Sequence, residues 1–411
     1  MRANPPTRLW NRHFVLFVLG TTQSVFGSTL TAVAMAFLVL ELTGSAAATG
    51  LTIALATLPH VFGPLAGTLV DRLSLRIPLV AGDIAQGVLA LVTWVLAVNQ
   101  VLPVEFIYAS ALLSGVITVF YRPASEALLP TLVPRTELVR ANTILHGGTQ
   151  TVTLLGYGVS GWLVTAIGVK PALLIDALSF FVMGTLFLLI AMPPVASDPR
   201  QQTFLQDLRG GFTALRSIPV LGALVGVGFV VMAAMAPLNM LLPKLSVDLG
   251  LSAQGYSSSM MALTVGMIVG SAVIAWMGTR FRARAAVTLG LLICALFYAL
   301  LTFAQSIPGL MALTFLLGLG MSANQAGTMY LIQTLTPPQY LGRVFAVVMS
   351  SMMLALPLTL FLLAPIADRV QSGAVFAGAA AVILCTVAAW LILQRQPTAA
   401  TSPDLLAGAN D

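Results

Sequence analysis

The sequence predicts an all-α integral membrane protein whose twelve transmembrane helices form two pseudo-symmetric six-helix bundles. Three observations predict it. Of 411 residues, 58% are hydrophobic and only 8% are charged, with a mean hydropathy of +0.97, where a soluble domain carries about a quarter charged residues. Uncharged runs long enough to cross a hydrocarbon core of roughly 30 Å recur along the whole length. Segments of the two halves also match one another at a constant offset.

The runs fall at 14–40, 47–69, 77–98, 104–121, 142–167 and 171–192 in the first half, and at 219–243, 254–277, 285–304, 308–331, 344–367 and 372–393 in the second. The first is longer than the roughly 7–15 apolar residues of a signal-peptide core, so it is read as an anchor. With the N-terminus inside, sixteen of the 19 Lys and Arg residues lie on cytoplasmic segments, leaving Lys170, Lys244 and Arg369 outside. That bias follows the positive-inside rule, supports an even number of spans and places both termini in the cytoplasm. It also accounts for a pI near 9.7 without a nucleic-acid partner. Cys294 and Cys385 both fall inside predicted spans and have no metal-site spacing, so neither a metal nor a cofactor is expected.

The organisation expected is an N-terminal bundle over 1–192, a cytoplasmic linker with a short amphipathic helix over 193–218, a C-terminal bundle over 219–395 and a disordered cytoplasmic tail over 396–411. In the linker, Phe204, Leu205, Leu208, Phe212 and Leu215 recur at helical spacing among polar residues, as in a helix lying on a membrane surface. Across it, Thr131, Leu132, Pro134, Leu138 and Arg140 align without gaps on Thr334, Leu335, Pro337, Leu341 and Arg343, an offset of 203; Gly63 and Gly67 meet Gly266 and Gly270 at the same offset. Two similar six-helix halves are the architecture of secondary transporters, whose substrate path runs between the halves near the bilayer midplane.

Gly63 and Gly67 make a small-xxx-small pair that invites close approach of a neighbouring helix. The stretch "GTLVDRLSLR" then places Asp71 and Arg72 where the second span leaves the membrane, with Arg76 just before the third. A partly desolvated carboxylate there can hold an arginine or an adjacent helix N-terminus. Gly67, Asp71, Arg72 and Arg76, with Arg140 and Arg343 of the repeat, are therefore assigned to a cytoplasmic gate. The competing reading is a solvated loop whose charges only set orientation.

"GPLAGTLVDRLSLR" resembles the loop signature between the second and third helices of the major facilitator superfamily, with Ser74 and Leu75 where that signature has glycine and arginine. "FYRPASEALLPTLVPRTELVRAN" (120–142), "LLIDALSFF" (173–181) and "LGRVFAVV" (341–348) resemble its branch of enterobactin exporters and macrolide-efflux proteins. "LGYGVSGW" (155–162) is similar to the glycine-rich fifth-helix motif of proton-coupled antiporters, with Tyr157 in place of proline. The resemblance implies the major facilitator fold, export of a small molecule driven by protons, and a path lined by the first, fourth, seventh and tenth helices.

Polar residues on those helices are the substrate-site candidates: Gln23, Ser114, Asn239, Asn324 and Gln325, with Ser24, Ser110 and Thr118 beside them. Each is alternatively a bond across a helix interface. Intramembrane ionisable groups are coupling candidates by default. Asp83 is read either as a proton site or as the partner of Arg122 or Arg140. Asp176 is read as a proton site or as a carboxylate bonded to backbone or Ser179. His60 is read as a titrating group or a hydrogen-bonded packing residue.

The candidate path carries no charge, which disfavours sugars and amino acids and suits an amphipathic or lipophilic compound. Thirteen of 17 methionines follow the linker; they are read as adaptable walls or as core filling. The function expected is efflux of a drug-like or siderophore-like molecule by a monomeric proton antiporter in a bacterial inner membrane, with substrate, protons and the bilayer as partners. A lipid or lysolipid flippase, an uptake carrier of the same fold, and a transport-inactive receptor or scaffold are the alternatives. No nucleotide loop, His-Glu-x-x-His or nucleophile with a base is present, so an enzyme is not expected.

Overall fold

The computed structural model describes residues 8–70, 73–192, 219–301 and 303–394. Among them the chain forms twelve helices. The first six are α1 (Arg12–Thr43), α2 (Ala46–Thr57, Leu58–Phe62 and Gly63–Val70 in succession), α3 (Ile77–Val98), α4 (Val104–Leu132), α5 (Leu138–Ile167) and α6 (Val169–Leu189). The second six are α7 (Pro219–Asp248), α8 (Ser252–Met277), α9 (Ala283–Leu301), α10 (Ile307–Leu335), α11 (Leu341–Ala367) and α12 (Ser372–Leu393). The linker, the tail and the pair Asp71–Arg72 lie outside the described residues.

Ten of the twelve are long and apolar enough to cross a membrane; α2 and α5 differ for separate reasons. In α2, Pro59 supplies no N–H and the chain tightens into a 3₁₀ turn at Leu58–Phe62, breaking the helix into short pieces. In α5 the first half is polar, from Arg140 through Gln150. Conversely, α4 runs to Leu132 through Pro123 and Pro130, well past the predicted end at 121. Polarity ends the apolar run there without ending the helix, and an exposed Arg122–Glu126 pair at 3.1 Å decorates the extension.

Local signals fix the ends. Asn11 caps α1, its Oδ1 accepting from the His13 and Phe14 amides, while its Nδ2 donates to the Leu132 carbonyl at 2.7 Å and ties α1 to the end of α4. Gly44, at φ +64°, closes α1, and Ser45 at once caps α2.

The internal repeat is visible in the backbone. Helix α4 ends at Leu132 and α10 at Leu335, single 3₁₀ turns follow at Arg135–Glu137 and Pro338–Tyr340, and α5 and α11 start at Leu138 and Leu341. Glycines permit the tightest crossings in both halves. A Cβ on Gly115 would strike the Ala56 carbonyl of α2, and one on Gly318 would strike the Leu263 carbonyl of α8. The symmetry fails at the small-xxx-small pair. Gly266 and Gly270 lie against α10, whereas a Cβ on Gly63 or Gly67 would meet nothing within 4 Å among the described residues. The expected close approach at Gly63 and Gly67 is therefore absent among the described residues, because the last piece of α2 turns Ala66 and Val70, not the two glycines, into the packed interior.

The two halves share a core at one end only. Leu30, Val33, Ala34, Ala46, Ala54 and Val164 of the first half pack into a cluster with α7–α12. At the opposite end, which carries residue 9, the first half keeps a core of its own around Phe14, Phe17, Leu79, Leu128 and Phe187. Helix α5 meets α8 where Gly158 faces Met261 and Gly161 faces Ser257, and α2 meets α11 and α7 where Gly50 faces Met240 and Leu360. Among the described residues the molecule is thus joined at its hairpin end, where α1 turns into α2, and its halves keep separate cores at the terminal end.

Gly318→Ala and Gly67→Ala make the same chemical change in different surroundings. Thermal unfolding followed by intrinsic fluorescence in detergent is expected to show Gly318→Ala destabilised by about 1–3 kcal/mol, and Gly67→Ala unchanged or raised by up to ~1 kcal/mol from helix propensity.

Candidate functional site

A cavity of about 450 Å³ lies inside the first half, walled by α1, α2, α3, α4 and α6, touched by Tyr157 of α5 and roofed by Asn239 of α7 and Tyr256 of α8. Its surface is predominantly apolar. Three aromatic rings reach it, those of Tyr157, Phe180 and Tyr256, and Asp176 is its charged lining residue.

The hydroxyls in the wall are mostly turned onto their own helices. Thr52 donates to the Ala48 carbonyl at 2.9 Å, Thr93 to Leu89 at 2.8 Å and Ser110 to Ile107 at 2.9 Å, so what they offer a ligand is an oxygen lone pair rather than a proton. Gln86 spends its amide on α4, donating to the Ser114 carbonyl and the Thr118 hydroxyl, both at 3.2 Å. Asn239 donates to the Met235 carbonyl at 2.8 Å, which leaves its own carbonyl oxygen. The site therefore accepts hydrogen bonds weakly and buries apolar surface.

Asp176 is 3% exposed, accepts from the Ser179 hydroxyl at 3.4 Å and stands against Gly27 of α1, where any side chain would displace it. The absence of a Cβ at Gly27 is what lets α6 bring this carboxylate to the cavity. Asp83 is 1% exposed in α3, beside Gly184 of α6, and its Oδ2 has no hydrogen-bond partner among the described residues. The ion pair expected for it is not formed: Arg122 binds Glu126, Arg140 lies 3.9 Å from Glu137, and both arginines are exposed. Both sit on helix extensions beyond the apolar run, while Asp83 faces the interior.

Of the remaining candidates, Ser114 and Asn239 line the cavity. Gln23 is exposed in a separate groove of α1, α5 and α6. Asn324 is buried where α10 crosses Gly290 of α9, and Gln325 is exposed on α10; α10 contributes nothing to the cavity wall. His60 lies in the 3₁₀ turn of α2 with Nδ1 3.1 Å from the Thr57 carbonyl, away from the cavity. At the terminal end Arg76 donates to the Ile190 carbonyl at 3.5 Å and the Arg343 guanidinium lies 5.9 Å from the Tyr340 ring centre.

Four of the methionines fill space over glycines: Met183 over Gly20, Met240 over Gly50, Met261 over Gly158 and Met352 over Gly228. Met35 alone among the methionines reaches the cavity. Sequence reasoning missed the aromatic walls, and it missed Asp368. That residue ends α11 and repeats, in Asp368–Arg369, the Asp–Arg pair at 71–72. The repeated dipeptide was the available signal.

The family model described as Major Facilitator Superfamily matches residues 17–263 and 224–407. The chain belongs to the major facilitator superfamily. Its fold and its relatives are those of membrane transporters and not of enzymes. It is 26% identical to macrolide efflux protein A of Streptococcus pyogenes over 392 residues, covering 92% of this chain and 94% of that one. It is also 26% identical to the multidrug efflux pump Tap of Mycolicibacterium fortuitum over 409 residues, covering 95% and 98%. Among solved structures, the nucleoside transporter NupG superposes with a TM-score of 0.78 at 12% identity over 94% of this chain and 100% of that one, a likeness of fold. This transporter of the superfamily is accordingly a multi-pass membrane protein that carries small molecules, as the efflux-protein resemblance of its sequence implied.

Cysteine labelling tests the cavity wall in a background lacking Cys294 and Cys385. Thr52→Cys and Ser110→Cys are expected to react with a small water-soluble thiol reagent at least about tenfold faster than Asn324→Cys, since reactivity follows access.

Proposed function

We propose that the protein exports an amphipathic, drug-like molecule from the bacterial cytoplasm across the inner membrane by alternating access, in exchange for protons. The observation that carries this reading is the cavity: mainly apolar, lined by three aromatic rings, with a single carboxylate in its wall. Such a lining suits lipophilic compounds of varied shape better than a sugar or an amino acid, which need dense polar replacement for lost hydration. Relatives named for macrolide and multidrug efflux support the direction and the class of substrate.

The division at the terminal end supports a cavity that loads from the side where the positive-inside rule puts the cytoplasm. In the other half of the cycle the Asp71 carboxylate, with Arg72, Arg76, Arg140 and Arg343 as the cations of the gate, draws that end together while the hairpin end parts. Asp176 and Asp83 are the proton carriers in this scheme. Both are buried in the membrane-spanning region of the first half, and Asp176 shares its cavity with the substrate. A proton arriving at Asp176 changes the charge of the wall that the substrate touches, which is the minimal physical link between the two flows.

Inverted membrane vesicles with an acidified interior provide the test. A fluorescent lipophilic dye is expected to accumulate inside, to stop accumulating when a protonophore is added, and to accumulate at least about tenfold more slowly with Asp176→Asn. Accumulation that survives the protonophore would remove protons from the scheme. Equal rates with vesicles lacking the protein, across a panel of such dyes, would remove export itself.

A further inference from the structure

At the joined end, beside the shared core, one carboxylate bonds from one half to the other. Asp368, the residue that ends α11, accepts the Ala46 amide at 2.9 Å through Oδ1 and the Ser45 hydroxyl through Oδ2. Ser45 is the cap of α2, and its oxygen also accepts the Ala48 amide at 3.0 Å. The carboxylate of one half therefore sits on the first turn of a helix of the other, where free amides and the helix dipole both favour negative charge.

A second partner waits beside it. Lys244, near the end of α7, has its Nζ 3.9 Å from Asp368 Oδ1, within ion-pair range but longer than a hydrogen bond. Both groups are partly exposed, their side chains at 28% and 36%. Helices α7 and α11 pack directly on one another in the second half, so Lys244 travels with Asp368, whereas α2 belongs to the first half and leaves it. In this conformation, with this end closed, the three groups stand together.

We infer that Asp368 is a switched clasp of the transport cycle, held by Ser45 and the α2 N-terminus when the hairpin end is shut and taken over by Lys244 when it opens. This rests on the alternating-access reading above. Its physical content is a competition. Ser45 and the Ala46 amide stabilise the closed state, since they contact Asp368 in that state alone. Lys244 stabilises the open state, because a carboxylate released from α2 without a cation nearby would lose its charge-assisted bonds with only water in exchange. Ser45 and Lys244 are then positioning residues with opposite effects on one equilibrium, which a merely structural role for either does not produce.

Spin labels on Leu42→Cys and Val247→Cys, two exposed positions near the ends of α1 and α7, report the separation of this end in lipid nanodiscs. The native cysteines are replaced, and distances are read at two pH values with and without the transported dye. Ser45→Ala and Asp368→Asn are expected to raise the ratio of open to closed populations at least about fivefold, Lys244→Met to lower it by a similar factor, and Ser45→Thr, which keeps the hydroxyl, to leave it near the parent value. Two distance populations with Lys244→Met and Ser45→Ala shifting them in the same direction, or neither shifting them, would overturn the clasp while leaving the cycle intact. One unchanging distance in the parent under every condition would overturn the cycle and the clasp with it.

Discussion

A chain in a bilayer has no water with which to satisfy its backbone, so each span must make its hydrogen bonds within itself. Every other feature of this molecule follows from packing closed helices against one another. The association of helices gains little from apolar contact, because lipid tails are as apolar as leucine. What remains is close approach, and glycine supplies it. The crossings at Gly115 with α2, Gly318 with α8 and Gly161 with Ser257 bring main chains nearly into contact. They set the two bundles and join them along one end.

The same constraint explains the character of the site. Hydroxyl side chains on spanning helices turn inward to their own carbonyls, which leaves a mainly apolar cavity whose wall hydroxyls are only weakly polar in effect. A charged group becomes conspicuous in such surroundings. Asp176 reaches the cavity only because α1 has no side chain at Gly27, so a packing detail and a functional one are a single arrangement. The division of the molecule at the terminal end and its closure at the hairpin end place this cavity beneath the roof made by Asn239 and Tyr256.

Duplication built the scaffold, and departures from it carry the asymmetry. Helix ends, 3₁₀ turns and one pair of crossing glycines recur at the repeat offset. The broken α2 has no counterpart in α8, which runs unbroken from Ser252 to Met277. The α8–α10 contact extends along both helices as a result, while α2 holds α4 closely near Ala56 and Pro59 and opens beyond them. An interrupted helix at the junction of the two halves gives the first bundle a softer element than the second has.

The sequence by itself determined the membrane class, the twelve helices, the two-fold repeat and the family, because each is written in local quantities: runs of apolar residues, spacing of arginines, and motifs read in order along the chain. It also named Asp176, Asp83, Ser114 and Asn239, since a polar group in an apolar run is conspicuous without coordinates. Tertiary structure decided which of the candidates meet. Ser114, Asn239 and Asp176 share a cavity, Gln23 and Asn324 do not, and Asp83 is buried away from the arginines expected to neutralise it. It also decided that Asp368, at the end of α11, bonds the first turn of α2 in the other half. The reason is geometric: a helix tells which residues share its faces, but which face meets which neighbour depends on rotations and tilts set by crossings between residues far apart in the chain, such as Gly161 on Ser257.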